Sequence, residues 1–242
     1  MPQASPALVR GPHRQRGITG IETAIILIAF VVVAAVFAFT VLSTGIFSAE
    51  RSKETVYAGL SEARSSLSPR GSLVAFAGKV GSTQTVYKVS FVVSQAISTR
   101  DPIDLTPPYT SDDSGTDPDV SSGAAYRLTV SYADKNQFLS DVPWTVTFVG
   151  NSDGDDMLDA GEKAEITAWL LDRNTATAIG SNDSIAYMDG PGGGGGGGGL
   201  TASSTVLTTD MDFTIEVKPP GGAVLALERT LPATFKTAMD LR

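Results

Sequence analysis

The 242 residues carry 18 basic and 26 acidic side chains, a formal charge of −8, with no cysteine and one histidine. That length admits one ordinary domain, or one domain with an extension. The composition excludes disulfides, thiolate ligands and thiol nucleophiles, and a single His13 argues against zinc sites and Ser-His-Asp catalysis; an acidic surface without a basic stripe repels nucleic acid.

The first element is a short basic leader ending in Arg14-Gln15-Arg16-Gly17, followed by Ile18-Thr19-Gly20-Ile21-Glu22 and then by Ala24–Leu42, which carries no charge. Three readings compete for this region. A secretory signal peptide has an apolar stretch of roughly 7–15 residues and a small-residue cleavage site after it; this run is longer, and Glu22 interrupts its start. A plain membrane anchor needs about 20 apolar residues, which the run supplies. The third reading is a kept helix that first lies in membrane and then packs with copies of itself. Large side chains such as Ile25, Phe30, Val33, Val36 and Phe39 surround the helix rather than lining one face. A helix apolar all round must be buried on all sides.

The helical pattern continues past Leu42 through the polar stretch Ser48–Thr55 to about Ser66, with Val56, Leu60 and Leu67 leaving a narrow apolar stripe. Pro69 and Gly71 then mark its end. A helix over 18–66 rises roughly 70 Å, more than twice a hydrocarbon thickness of about 30 Å. Simple anchoring does not require that length.

From Ser72 the apolar period switches to two: Val89, Phe91 and Val93 recur at every second position, as do the apolar residues from Tyr126 to Tyr132, Trp144 to Phe148 and Phe213 to Val217. Short strands separated by Gly, Pro, Asp and Ser predict an all-β, immunoglobulin-like sandwich of some eight strands. The fold class is therefore α+β, a long N-terminal α-helix followed by this sandwich.

Three loops carry chemistry. Asn151–Glu162 places oxygen side chains at positions one, three, five, nine and twelve (Asn151, Asp153, Asp155, Asp159, Glu162), with Met157 set to offer a backbone carbonyl. This is the spacing of an EF-hand calcium loop. Asp156 stands where that motif wants Gly, and the flanks read as strands, so the alternative is an acidic hairpin held by turn hydrogen bonds. Calcium, if bound, is expected at extracellular affinity, roughly 10⁻⁴–10⁻³ M, and in a structural role. Asn182-Asp183-Ser184 is an N-glycosylation acceptor pattern. The glycine run Gly192–Gly199 predicts a floppy external loop. Acidic residues cluster in loops rather than facing one another across a cleft, so no enzyme is expected.

The leader and its junction resemble the class III leader of archaeal flagellins (archaellins) and, more distantly, of type IV pilins. Ile103–Thr106, Val130–Gln137, Trp144–Glu165 and Phe213–Ala223 also resemble archaellin segments and occur in that family's order. The resemblance implies that a prepilin-type leader peptidase cuts between Gly17 and Ile18. Gly20 then becomes the third mature residue and Glu22 the fifth, which with Arg16 before the cut are the recognition and assembly positions. The domains would be 1–17, a removed leader; 18–66, the helical core of a filament; and 67–242, the outer sandwich. Removal of Arg10, Arg14 and Arg16 leaves 18 − 3 = 15 bases against 26 acids, or −11. The freed α-amino group of Ile18, with an ordinary pKa of about 7.7–8, is a candidate partner for Glu22.

The family's role implies a helical homopolymer on the cell surface, the archaellum rotated for swimming. The partners implied are other copies of the chain, the leader peptidase, and the export and motor machinery in the membrane, with transient membrane insertion of the precursor. One alternative is the pilin of an adhesive filament, and another is a monomeric surface protein, anchored by the helix and binding calcium or carbohydrate.

Overall fold

The computed structural model describes residues 16–97, 101–111, 118–120, 126–172, 187–188, 198–201 and 204–242. The chain divides into two compact units, Met1–Tyr57 and Ala58–Arg242. One helix, α1 (Arg16–Arg64, 49 residues), contains the Gly17–Ile18 junction; at 1.5 Å per residue it is about 74 Å long. It stops at Arg64, slightly short of the expected Ser66, because Ser65 and Ser66 turn back to cap it. The Ser65 N–H donates to the Ser61 carbonyl and the Ser66 N–H to that of Ala63, while the Ser66 hydroxyl takes the Glu62 carbonyl at 2.9 Å. Three of the carbonyls that every helix end leaves without an internal partner are thereby satisfied.

The second unit is antiparallel β. Its strands, among the described residues, are β1 (Leu67–Pro69), β2 (Leu73–Val80), β3 (Thr83–Gln95), β4 (Ile103–Asp104), β5 (Tyr109–Ser111), β6 (Pro118–Val120), β7 (Thr129–Asp134), β8 (Phe138–Leu139), β9 (Trp144–Phe148), β10 (Met157–Leu158), β11 (Ala164–Trp169), β12 (Asp212–Lys218), β13 (Leu225–Thr230) and β14 (Ala238–Leu241). A six-stranded sheet runs β14-β2-β3-β11-β9, with β1 also on β3; a four-stranded sheet runs β13-β12-β7-β8; β4 pairs β10 and β5 pairs β6. The expected eight strands correspond to those of four residues or more. The remaining six are ladders of two or three residues, too short for an alternation of period two to show in sequence.

One core joins the two larger sheets. Val89, Phe91, Val93, Ile166 and Trp144 from the first and Val130, Tyr132, Phe213, Ile215 and Val217 from the second are all buried in it. Strand β12 shows the alternation expected of a sheet wet on one face: Phe213, Ile215 and Val217 are buried, Asp212 and Lys218 exposed. On the other face of the six-stranded sheet, Lys88 lies opposite both Phe76 and Trp169, its ammonium 5.0 Å and 4.7 Å from their ring centres. Such placement lets a cation sit on half-buried sheet surface with ring faces as partners.

The glycine run is not uniformly loose. Gly198 adopts φ +108°, and a Cβ added there would overlap the Asp141 carbonyl. A Cβ on Gly199 would overlap Met188 and lie 2.9 Å from the Leu170 carbonyl oxygen. The next residue, Leu200, is fully buried and its N–H donates to that Leu170 carbonyl. The end of the run is thus a packed seam, which the expectation of a floppy loop did not foresee; residues 189–197 lie outside the described residues. Gly198→Ala should lower the stability of the β unit by about 1–3 kcal/mol, through overpacking and a disfavoured φ. A denaturant titration in which native and variant midpoints coincide would contradict this packing.

Candidate assembly surface

The helix is unusual in what it does not bury. Its large apolar side chains from Ile21 to Leu42 are 53–73 % exposed. At roughly 1.5–3 kcal/mol per side chain, covering them is worth on the order of 20–40 kcal/mol, well above the roughly 5–15 kcal/mol that holds an ordinary domain folded. Among the described residues of the unit none supplies that cover, so the surface calls for lipid or another chain. By length and composition α1 is also able to cross a membrane.

Polar groups on the helix are arranged to permit this. Thr40 donates its hydroxyl to the Val36 and Phe37 carbonyls, both at 2.9 Å; Thr44 donates to the Thr40 carbonyl at 2.8 Å, and Thr23 to that of Gly20 at 3.0 Å. A hydroxyl bonded back into its own helix enters a dry environment without leaving an unsatisfied donor. Thr40, Val41, Thr44, Gly45 and Ser48 line one shallow groove, while Phe39, Leu42, Ile46 and Phe47 line another. Small and bulky faces thus lie on the same turns. Farther along, the Arg51 guanidinium lies 5.3 Å from the Phe47 ring centre, and Glu50, Lys53 and Glu54 are exposed.

The residues singled out at the N-terminus all fall on α1. Arg16, Gly17 and Ile18 lie at its start and Gly20 one turn on; Glu22 is exposed. Asn182 lies outside the described residues.

The acidic loop sits between β9 and β11 and is flanked by strands, as expected. Its centre is clipped down: Met157 pairs with Asp104 and Leu158 with Ile103. Glu162 is buried, and its carboxylate accepts the backbone N–H groups of Asp153 at 3.2 Å and Asp159 at 3.0 Å. Asp153 accepts the N–H of Asp155 at 3.3 Å, and Asp155 that of Met157 at 2.8 Å. Asn151 is exposed at the loop's start. Hydrogen bonds within the turn therefore hold the loop, and among the described residues no group of three or more His, Cys, Asp or Glu is placed to hold a metal ion.

The model of the family described as archaeal-type flagellin matches residues 17–229. The chain belongs to the archaeal-type flagellin family. It is 33% identical over 229 residues to a protein named probable flagellin 1 from Archaeoglobus fulgidus, covering 94% of this chain and 95% of that protein. It is 30% identical over 235 residues to probable flagellin 1 of Aeropyrum pernix, covering 93% and 96%. Among solved structures, the archaeal flagellum of Methanospirillum hungatei shares the fold, with a TM-score of 0.52 and 21% identity over 91% of this chain and 98% of that one. The flagellin match includes the whole of α1 beyond Arg16 and all strands through most of β13.

Sequence reasoning missed Gly198, Gly199 and Gly222 as packed positions, because close approach of backbone leaves no mark beyond the residue type. One consequence of the acidic loop is measurable. Desolvation, then the negative charges of Asp153, Glu162 and Asp155, raises the Asp159 carboxyl above its ordinary value. An acid with a raised folded-state pKa holds its proton better folded than unfolded. Stability therefore falls as pH rises from the unfolded to the folded value, and the deficit persists at neutral pH. Asp159→Asn should melt higher than the native chain at pH 7, and the difference should vanish below about pH 3, where both states are protonated. Equal melting temperatures at pH 7 would count against the charge crowding.

Proposed function

We infer that this flagellin is a structural subunit that polymerises into the filament of the archaeal flagellum, outside the cell, for swimming motility. The carrying observation is the uncovered apolar surface of α1 in a chain whose family is structural rather than enzymatic. Copies of the same helix offer cover of matching length and chemistry, and they remain available after the chain leaves the bilayer. No role in catalysis is proposed.

The leader reading is supported by the family match beginning at Gly17, next to the Gly17–Ile18 junction, with the three bases of the leader before it. In this reading a peptidase removes residues 1–17 while α1 is held in membrane, and the freed Ile18 amino group meets Glu22 of its own or a neighbouring chain. Sheared cells should release long filaments made of this chain, and a deletion strain should lose swimming. Dispersed single molecules in the sheared fraction would overturn the polymer reading; a strain that still swims but loses adhesion would favour a pilus. Gly17→Phe should leave the leader attached, visible as an unshifted precursor mass; a mature mass in that variant would refute the assigned cut.

Calcium is proposed as a structural ligand of the Asn151–Glu162 loop, on the strength of its spacing and of the carboxylate crowding that raises Asp159. Binding requires Asp153 and Asp155 to exchange their bonds to backbone N–H groups for the cation. Millimolar calcium should raise the melting temperature of the native chain, and Asp153→Ala and Asp155→Ala should remove that gain. Identical native melting curves in calcium and in chelator would eliminate the site.

A further inference from the structure

The junction between the end of α1 and the sandwich carries more contacts than a simple linker needs, and all of them lie inside the second unit. The hairpin joining β12 and β13, Pro219-Pro220-Gly221-Gly222, comes down on the helix end. A Cβ on Gly222 would overlap the Ser65 carbonyl and lie 2.8 Å from the Ser66 nitrogen, and one on Gly221 would touch the Ser65 side chain at 3.6 Å. The Ala223 N–H donates to the Ser66 hydroxyl at 3.1 Å, and that hydroxyl in turn donates to the Glu62 carbonyl. From the other side, the Ala96 N–H at the end of β3 donates to the Ser66 carbonyl at 2.9 Å. Ser66 is therefore gripped by both sheets: Ala96 follows a strand of the six-stranded one, and Ala223 precedes a strand of the four-stranded one. The Arg64–Asp101 ion pair at 3.5 Å is exposed on both sides and adds little.

We propose that Gly222 and Ser66 form a latch that holds the last turns of α1 in one orientation on the sandwich, and that the latch is what makes the subunit uniform enough to repeat in a regular polymer. The proposal rests on the filament reading above. A filament grows by head-to-tail contacts repeated without closure, so any spread in the angle at this joint is copied into every subunit interface. A flexible joint gives fibres with variable geometry; a clamped one gives a single repeat. The latch needs glycine for its close approach and a hydroxyl able to accept from one segment while donating to another. Gly222 and Ser66 are in this sense positioning residues.

The chain lacks cysteine, so Ser61→Cys and Thr83→Cys, both exposed in the native chain, take a pair of spin labels at defined places. In the full chain held in detergent, the distance distribution between these labels should be narrow, and Gly222→Val should broaden or split it. Near-ultraviolet dichroism from buried Trp144 and Trp169 should stay unchanged in that variant. A distribution as narrow as that of the native chain, in a folded Gly222→Val, overturns the latch. If Gly222→Val does not fold, Gly222→Ala and Ser66→Ala decide in the same way, the first by minimal bulk and the second without any. Filaments of the folded variant should lose the sharp layer lines of native filaments, and unchanged layer lines overturn the link to assembly. Absence of native filaments would refute the filament reading instead, leaving the label distances to judge the joint alone.

Discussion

A helix with no wet side governs the rest of this molecule. Among the described residues, the large apolar side chains of α1 between Ile21 and Leu42 are exposed, and covering them is worth more than the stability of an ordinary domain. A helix of this kind is therefore not stable as a free monomer in water. Hydrocarbon and identical helices are both dry enough to cover such a helix, and Thr23, Thr40 and Thr44 suit either because their hydroxyls are bonded to the preceding turn. Lipid tails and neighbouring valines are equally dry; what differs is that a protein neighbour has grooves and ridges, and α1 presents small and bulky residues on the same turns.

The β unit follows the opposite rule. It closes its own core from two antiparallel sheets, buries few charges, Glu162 among them, and retains an acidic surface that discourages non-specific association. Its irregular features are concentrated where backbones approach each other: the Gly198–Gly199 seam against Asp141 and Leu170, and the Gly222 contact with Ser65. In both places a methyl group has nowhere to go. The acidic loop is a different case, in which four carboxylates crowd one turn and three of them, Asp153, Asp155 and Glu162, accept backbone N–H groups.

The two rules complement each other in a polymer. Association energy resides in a surface common to every copy and indifferent to small changes in sequence, since most large apolar side chains fill such an interface. Regularity has to come from elsewhere, because an all-apolar helix can rotate or slide against its neighbours at modest cost. A joint clamped by hydrogen bonds and backbone contact is a suitable source, since those interactions are directional where hydrophobic burial is not.

Much of this was legible from the residue order. The unbroken apolar run from Ala24 to Leu42 and the period-two alternation in β3, β9 and β12 are local patterns, and the hydrophobic effect acts on them wherever they stand. They determined the long helix, the α+β class, the main strands and the need for a partner. The short ladders β1, β4, β5, β6, β8 and β10 left no such pattern, because two or three residues cannot display a period. Tertiary structure alone decided which glycines are packed, ended α1 at Arg64 by the Ser65–Ser66 cap, and turned Glu162 inward to bind Asp153 and Asp159. Each of those outcomes depends on which distant backbone arrives within hydrogen-bond or van der Waals reach, a quantity of three dimensions that no spacing along the chain encodes.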